Sequence, residues 1–129
     1  MKIAVIVVRT LVGALFAFGA VAYFGNFVPQ PELTGNMKIF MEGLAASGYL
    51  ITVAKVVELL VGIAFLSGRF VPLAAVIISP IIVNIFFIHL FLDRKTLPVA
   101  IALVLSNAFI AYAHRSHYAP LFRSKSELG

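Results

Sequence analysis

Lys55 and Glu58 stand three residues apart inside an otherwise apolar run, Tyr49 to Ser67. On a helix that spacing puts an ammonium and a carboxylate on one face, close enough to pair. An ionisable side chain inside hydrocarbon costs at least about 2.5 kcal/mol near the centre, so it turns toward the protein and takes a partner. Gly62, four residues after Glu58, leaves room beside the acid for another backbone or a ligand. Arg9, Gly13 and Ala17 make a second stripe of one charge followed by two small residues. Asn84 and Asn107 fall near mid-depth of two further apolar runs, and His89 near the outer end of one. Glu58, Lys55, Asn84 and Asn107, with Arg9 approaching from below and His89 from the outer edge, form a candidate ligand-binding or proton-handling spot inside a bundle. The same groups have a plainer use. Interhelical hydrogen bonds and one intramembrane ion pair would fix how apolar helices pack.

Other chemistry finds no residues to carry it. Cysteine is absent, which removes disulfides, thiolate metal ligands, thioether-linked haem and dithiol redox centres. No carboxylate pair, nucleophile triad or glycine-rich phosphate loop occurs, so no catalytic residue is expected. His89 and His114 would be a haem pair only if they faced each other across one ring. Their positions at opposite ends of neighbouring helices place them almost a bilayer apart, so neither haem nor another resident cofactor is expected. His114 and His117, three apart at the end of the last helix, could hold a surface metal, but a solvated pair is the simpler account.

Four apolar runs must position these groups, over residues 3–24, 49–67, 70–92 and 97–113. Each approaches the 20 or so residues a spanning helix needs, and none shows the period-2 alternation of a barrel strand. The whole chain of 129 residues is 62% hydrophobic and 12% charged. Soluble domains run at about 45–50% and about 25%. The expected fold is therefore all-α: one domain, a four-helix transmembrane bundle with lipid as its solvent. The links Gly68-Arg69 and Asp93-Arg94-Lys95-Thr96 are short enough to make neighbouring helices antiparallel. Pro72 and Pro98 fall in first turns, where a missing N–H is harmless. Pro80, one turn before Asn84, would free the carbonyl of Val76 and could kink its helix.

The connection from Gly25 to Gly48 is longer. Pro29-Gln30-Pro31 reads as a stiff extended segment. Met37, Phe40, Met41 and Leu44 then recur at helical spacing, with Lys38 and Glu42 on the other face. A short amphipathic helix over 36–46, lying along the membrane surface or over the mouth of the bundle, is expected in preference to an ordered loop. Lys2, Arg69, Arg115, Arg123 and Lys125, with Arg9 nearby, fall on one side; Lys38, Arg94 and Lys95 fall on the other. The first side, with both termini, should be cytoplasmic. A cleaved signal ending near Ala20-Val21-Ala22 is a rival for the first span, which Arg9 interrupts. The net charge of +5 is spread in ones and twos, without the basic stripe that nucleic-acid binding requires.

From Gly43 through "LITVAKVVELLVGIAFLSGRFVPLAAVIISPIIVNIFFIHLFLD" the chain resembles the DoxX family of small bacterial membrane proteins. The most specific element is Lys55-x-x-Glu58 with Gly62, leading into "SGRFVPLA"; Arg9 with Gly13 and Gly19, and "PQPELTG", extend the likeness over 9–113. Arg9, Lys55 and Glu58 match the family's charged positions, whereas Tyr23 stands where members often have a Lys. The resemblance implies a four-helix protein of the inner membrane. It also implies a membrane subunit of a redox complex with a soluble oxidoreductase partner, and quinone contact near Glu58. A small transporter or lipid or metabolite binder, and a purely structural membrane protein, are the competing expectations.

Overall fold

Four helices in the computed structural model of the chain are long and apolar enough to cross a membrane. The structure describes residues 1–26 and 32–125, so the expected Pro29-Gln30-Pro31 segment lies outside the described residues. The elements are α1 (Lys2–Gly25), α2 (Gly35–Ala46), α3 (Leu50–Ser67), α4 (Val71–Phe91), α5 (Leu97–Ala113) and α6 (Arg115–Tyr118). Single 3₁₀ turns follow at Arg94–Thr96 and Ala119–Phe122, and no strand occurs among the described residues. The four long helices match the expected runs to within one residue at each end.

Lipid explains why these segments are helical with so little burial. A spanning chain must satisfy its own backbone groups, and hydrocarbon takes apolar side chains on any face. Ile3, Leu11, Phe18, Leu60, Leu73 and Leu105 accordingly point outward. The core is one narrow stripe from each helix: Val12 and Phe16, Val61 and Phe65, Ala75 and Ile78, Leu103 and Ile110. Around the ring α1 packs on α3, α3 on α4, α4 on α5, and α5 closes more lightly on α1. The start of α1 and the end of α5 lie at one end of the bundle, where Lys2 and Arg115 line the same cleft.

Local chemistry sets the helix ends. Gly68 closes α3 with φ 75°, a left-handed conformation that glycine adopts without strain. Phe70, with φ 57°, launches α4, and Pro72 and Pro98 fall in first turns as expected. Asp93 accepts from the Lys95 N–H at 3.2 Å and from the Thr96 hydroxyl at 3.4 Å, which orders the α4–α5 link. Pro80 lies inside α4 on its exposed side, and the helix continues through it from Val71 to Phe91.

The expected amphipathic helix is α2. Met37, Phe40, Met41 and Leu44 are half-buried, while Lys38 and Glu42 are exposed and 3.9 Å apart. No residue of α2 is fully buried, so it lies on the bundle as a surface element touching α3.

Beyond α5 the chain folds back, and the Tyr118 hydroxyl donates to the carbonyl of Pro72 at 2.6 Å, tying α6 to the start of α4. Burial pushes the Tyr118 phenol above its ordinary value, because desolvation disfavours the phenolate. A phenol raised in the folded state stabilises the protein fully below its unfolded pKa, and that contribution is lost as pH rises through the folded value. Tyr118→Phe should therefore lower stability by about 1 kcal/mol at neutral pH. It should also flatten the alkaline limb of a thermal-melting profile against pH, which wild type should show.

Candidate functional site

Glu58 sits on the stripe that α3 turns inward, with Val61, Gly62 and Phe65 at the following helical positions. Its carboxylate accepts from the Lys55 ammonium at 3.0 Å. The acid's side chain is 9% exposed and the lysine's 30%. The two side chains thus differ in surroundings: that of Glu58 lies inside the bundle, and that of Lys55 is partly exposed. Pairing as anticipated from the i,i+3 spacing is the local part of the site.

The second part is the seam beside it. A Cβ on Gly62 would lie 2.8 Å from the Ala17 nitrogen and 2.9 Å from the Gly13 carbonyl oxygen. One on Gly13 would lie 2.8 Å from the Phe65 Cβ. The two small-residue stripes read from the sequence meet each other, and the room beside Glu58 is filled by the backbone of α1. Close approach of this kind is how membrane helices gain van der Waals packing without a hydrophobic drive.

Arg9 is placed differently from the expectation that it approaches Glu58. Its guanidinium donates to the carbonyl of Phe65 and lies over Gly68, so it caps the C-terminal end of α3. Phe65 is seven residues beyond Glu58, roughly 10 Å along the axis. A cation there also meets the negative end of the helix dipole.

The two asparagines part company. Asn107 is buried on α5, and its Nδ2 donates to the Ala75 carbonyl at 3.2 Å and the Ser79 hydroxyl at 3.1 Å. It stitches α5 to α4, while its Oδ1 is buried without a hydrogen-bond partner. Asn84, expected in the interior, is exposed. It follows Ile82, the last fully buried residue of α4, by two positions, which is about 200° of rotation. The interior expectation for Asn84 is thus corrected: the residue lies on the outer surface of the bundle. His89 is half-buried, and its Nδ1 bonds the Ile85 carbonyl one turn back at 2.7 Å. His114 does the same with Ile110 at 2.9 Å, and its ring centroid is 5.8 Å from that of His117.

The structure therefore unites Lys55 with Glu58 and bonds Asn107 of α5 to Ala75 and Ser79 of α4. Arg9, Asn84 and His89 each sit elsewhere. Sequence reasoning missed Ser79 and the Ala75 and Phe65 carbonyls, because a backbone acceptor on another helix leaves no mark in residue type. Replacing Asn107 by Ala should lower thermal stability by roughly 0.6–2 kcal/mol, the range for interhelical bonds in membranes. Detergent melting of the purified variant would measure it.

What the assembly can do chemically is limited to holding charge and hydrogen bonds at defined depths. Among the described residues no group of three or more His, Cys, Asp or Glu gathers at metal-binding range. Comparison of the chain with family models, curated proteins and solved structures gave no match.

Proposed function

We propose that this chain is a non-catalytic membrane subunit, accessory to a membrane-associated redox complex, in line with its resemblance to DoxX proteins. It resides in the inner membrane with both ends in the cytoplasm, since Lys2, Arg9, Arg69, Arg115, Arg123 and Lys125 outnumber Lys38, Arg94 and Lys95 on the opposite side. The observation that carries the non-catalytic role is the closed Lys55–Glu58 pair at 3.0 Å. Its charges neutralise one another, and α1 occupies the space beside them. A group arranged this way sets helix packing and can present a polar edge to a partner or to a quinone ring. Association with a soluble oxidoreductase rests on the resemblance alone.

Mild-detergent purification followed by mass spectrometry of co-purifying proteins and lipophilic small molecules tests this role. An oxidoreductase or a quinone recovered with wild type and reduced with Glu58→Gln supports it. A preparation free of both, with Glu58→Gln altering stability alone, leaves a purely structural protein. A second reading, a small lipid or metabolite binder or transporter, is favoured by one feature, the unpartnered buried Oδ1 of Asn107. It predicts a small-molecule ligand that binds wild type and not Asn107→Ala.

A further inference from the structure

A cleft of ≈ 550 Å³ opens where the first turns of α1 meet the end of α5. Lys2, Arg9, His114 and Arg115 line it among the apolar Val5 and Ile6. Its size falls within the range of roughly 300–1,000 Å³ usual for small-molecule sites. Three of these side chains carry formal positive charge, and none of the described acids, Glu32, Glu42, Glu58 and Asp93, borders the cleft. The ion pairs among the described residues, Lys38–Glu42 and Lys55–Glu58, use other cations.

The arginines are held in place beforehand. Arg9 is anchored on the Phe65 carbonyl. Arg115 donates to the Tyr112 carbonyl at 3.0 Å, and its guanidinium lies 4.4 Å from the centroid of the Tyr112 ring. Each keeps further N–H groups beyond these bonds. Lys2 and Arg9 are seven residues apart, so positive charge is graded over roughly 10 Å of depth from the end of the bundle inward.

The same two helices also form an apolar groove. Farther along, Leu11 and Leu15 of α1 and Val99, Ala102, Leu103 and Ser106 of α5 line a second cleft of ≈ 180 Å³. A basic cleft at the end of α1 and α5, with an apolar groove farther along the same two helices, matches a molecule with an anionic head and a hydrocarbon tail. We infer that the α1–α5 seam binds an anionic phospholipid, its phosphodiester among Lys2, Arg9 and Arg115 and one acyl chain along the groove. The basic lining, with no acid among the described residues, disfavours a head that carries its own cation, such as phosphocholine. This inference stands apart from the proposed redox role and uses residues outside the Lys55–Glu58 pair.

The test uses the full chain in mild detergent, with native mass spectrometry reading lipid adducts after addition of phosphatidylglycerol or phosphatidylcholine. Wild type should retain phosphatidylglycerol over phosphatidylcholine by about tenfold or more, as expected where each nearby cation contributes about 1 kcal/mol toward anionic lipid. The double variant Lys2→Gln, Arg115→Gln should lose most of that preference. Both residues are exposed, so folding should survive. Ala102→Phe, which fills the groove from an exposed position, should weaken retention without touching the charges. Excess inorganic phosphate should leave the adduct intact. Equal retention of the two lipids, an unchanged preference in the double variant, or displacement by phosphate would each overturn the assignment, the last in favour of a soluble-anion site.

Discussion

Gly62→Leu is expected to abolish the packed bundle while leaving its individual helices formed. A Cβ alone at this position would sit 2.8 Å from the Ala17 nitrogen, 2.9 Å from the Gly13 oxygen and 3.1 Å from the Ala17 Cα. These are backbone atoms of α1, which no rotamer change can move aside. Gly62→Ala should already cost about 1–3 kcal/mol by overpacking. Leucine requires α1 and α3 to separate along the most extensive seam of the ring. Gly19 is the control. Nothing lies within 4 Å of a Cβ placed there, so Gly19→Ala should be neutral, or stabilising by up to about 1 kcal/mol through helix propensity. Circular dichroism in detergent should show the helical signal kept in all three proteins. The cooperative melt should be lost in Gly62→Leu, lowered in Gly62→Ala and retained in Gly19→Ala. A cooperative, wild-type-like melt of Gly62→Leu would disprove the seam.

The second large effect concerns which half of the ion pair is removed. Lys55→Met leaves a carboxylate buried inside the bundle with no opposite charge among its described partners. Such stranding costs about 3–5 kcal/mol where a buried pair is broken. Glu58→Leu should cost less, because the Lys55 side chain is already 30% exposed and its stem can lift the ammonium outward. Lys55→Met combined with Glu58→Leu should recover most of the loss, since replacing both charges removes the desolvation penalty together with the attraction. A double-mutant cycle on melting temperature gives the coupling. If the two single variants lose the same stability and the double loses their sum, the pair does not act as a unit.

The features legible in the sequence share a property: each is local to one helix. Span limits follow from apolar length, and the α2 amphipathic face follows from Met37, Phe40, Met41 and Leu44 at helical spacing. Lys55 and Glu58 pair because they are three residues apart on one helix. The Arg9-Gly13-Ala17 and Glu58-Gly62 stripes are each legible, because small residues mark where backbones approach, but that they meet each other is seen only in the fold. Asn84 shows where this ends. In a soluble protein a polar residue opposite the apolar stripe identifies the outer face, but α4 is apolar on every side, so its pattern names no inward face. Rotation about α4 is fixed by what it packs on. Ala74, Ala75, Ile78 and Ile82 turn inward, and Asn84 is carried round to the outside. For Arg9 the sequence likewise specifies only depth, and depth alone does not distinguish a carboxylate from the open carbonyl at a helix end.

That carbonyl has a consequence for biosynthesis. Arg9 and Phe65 are 56 residues apart. At ribosomal rates of about 5–20 residues per second, Phe65 is made roughly 3–11 seconds after Arg9. Throughout that interval the first segment must rest in or beside the translocation channel with an unanswered guanidinium, held by water, lipid phosphate or the channel wall. Final seating of α1 in the bilayer is therefore coupled to the arrival of α3, and a nascent chain halted before α3 has emerged from the ribosome should be more easily extracted by alkaline carbonate than one halted after α3 has emerged.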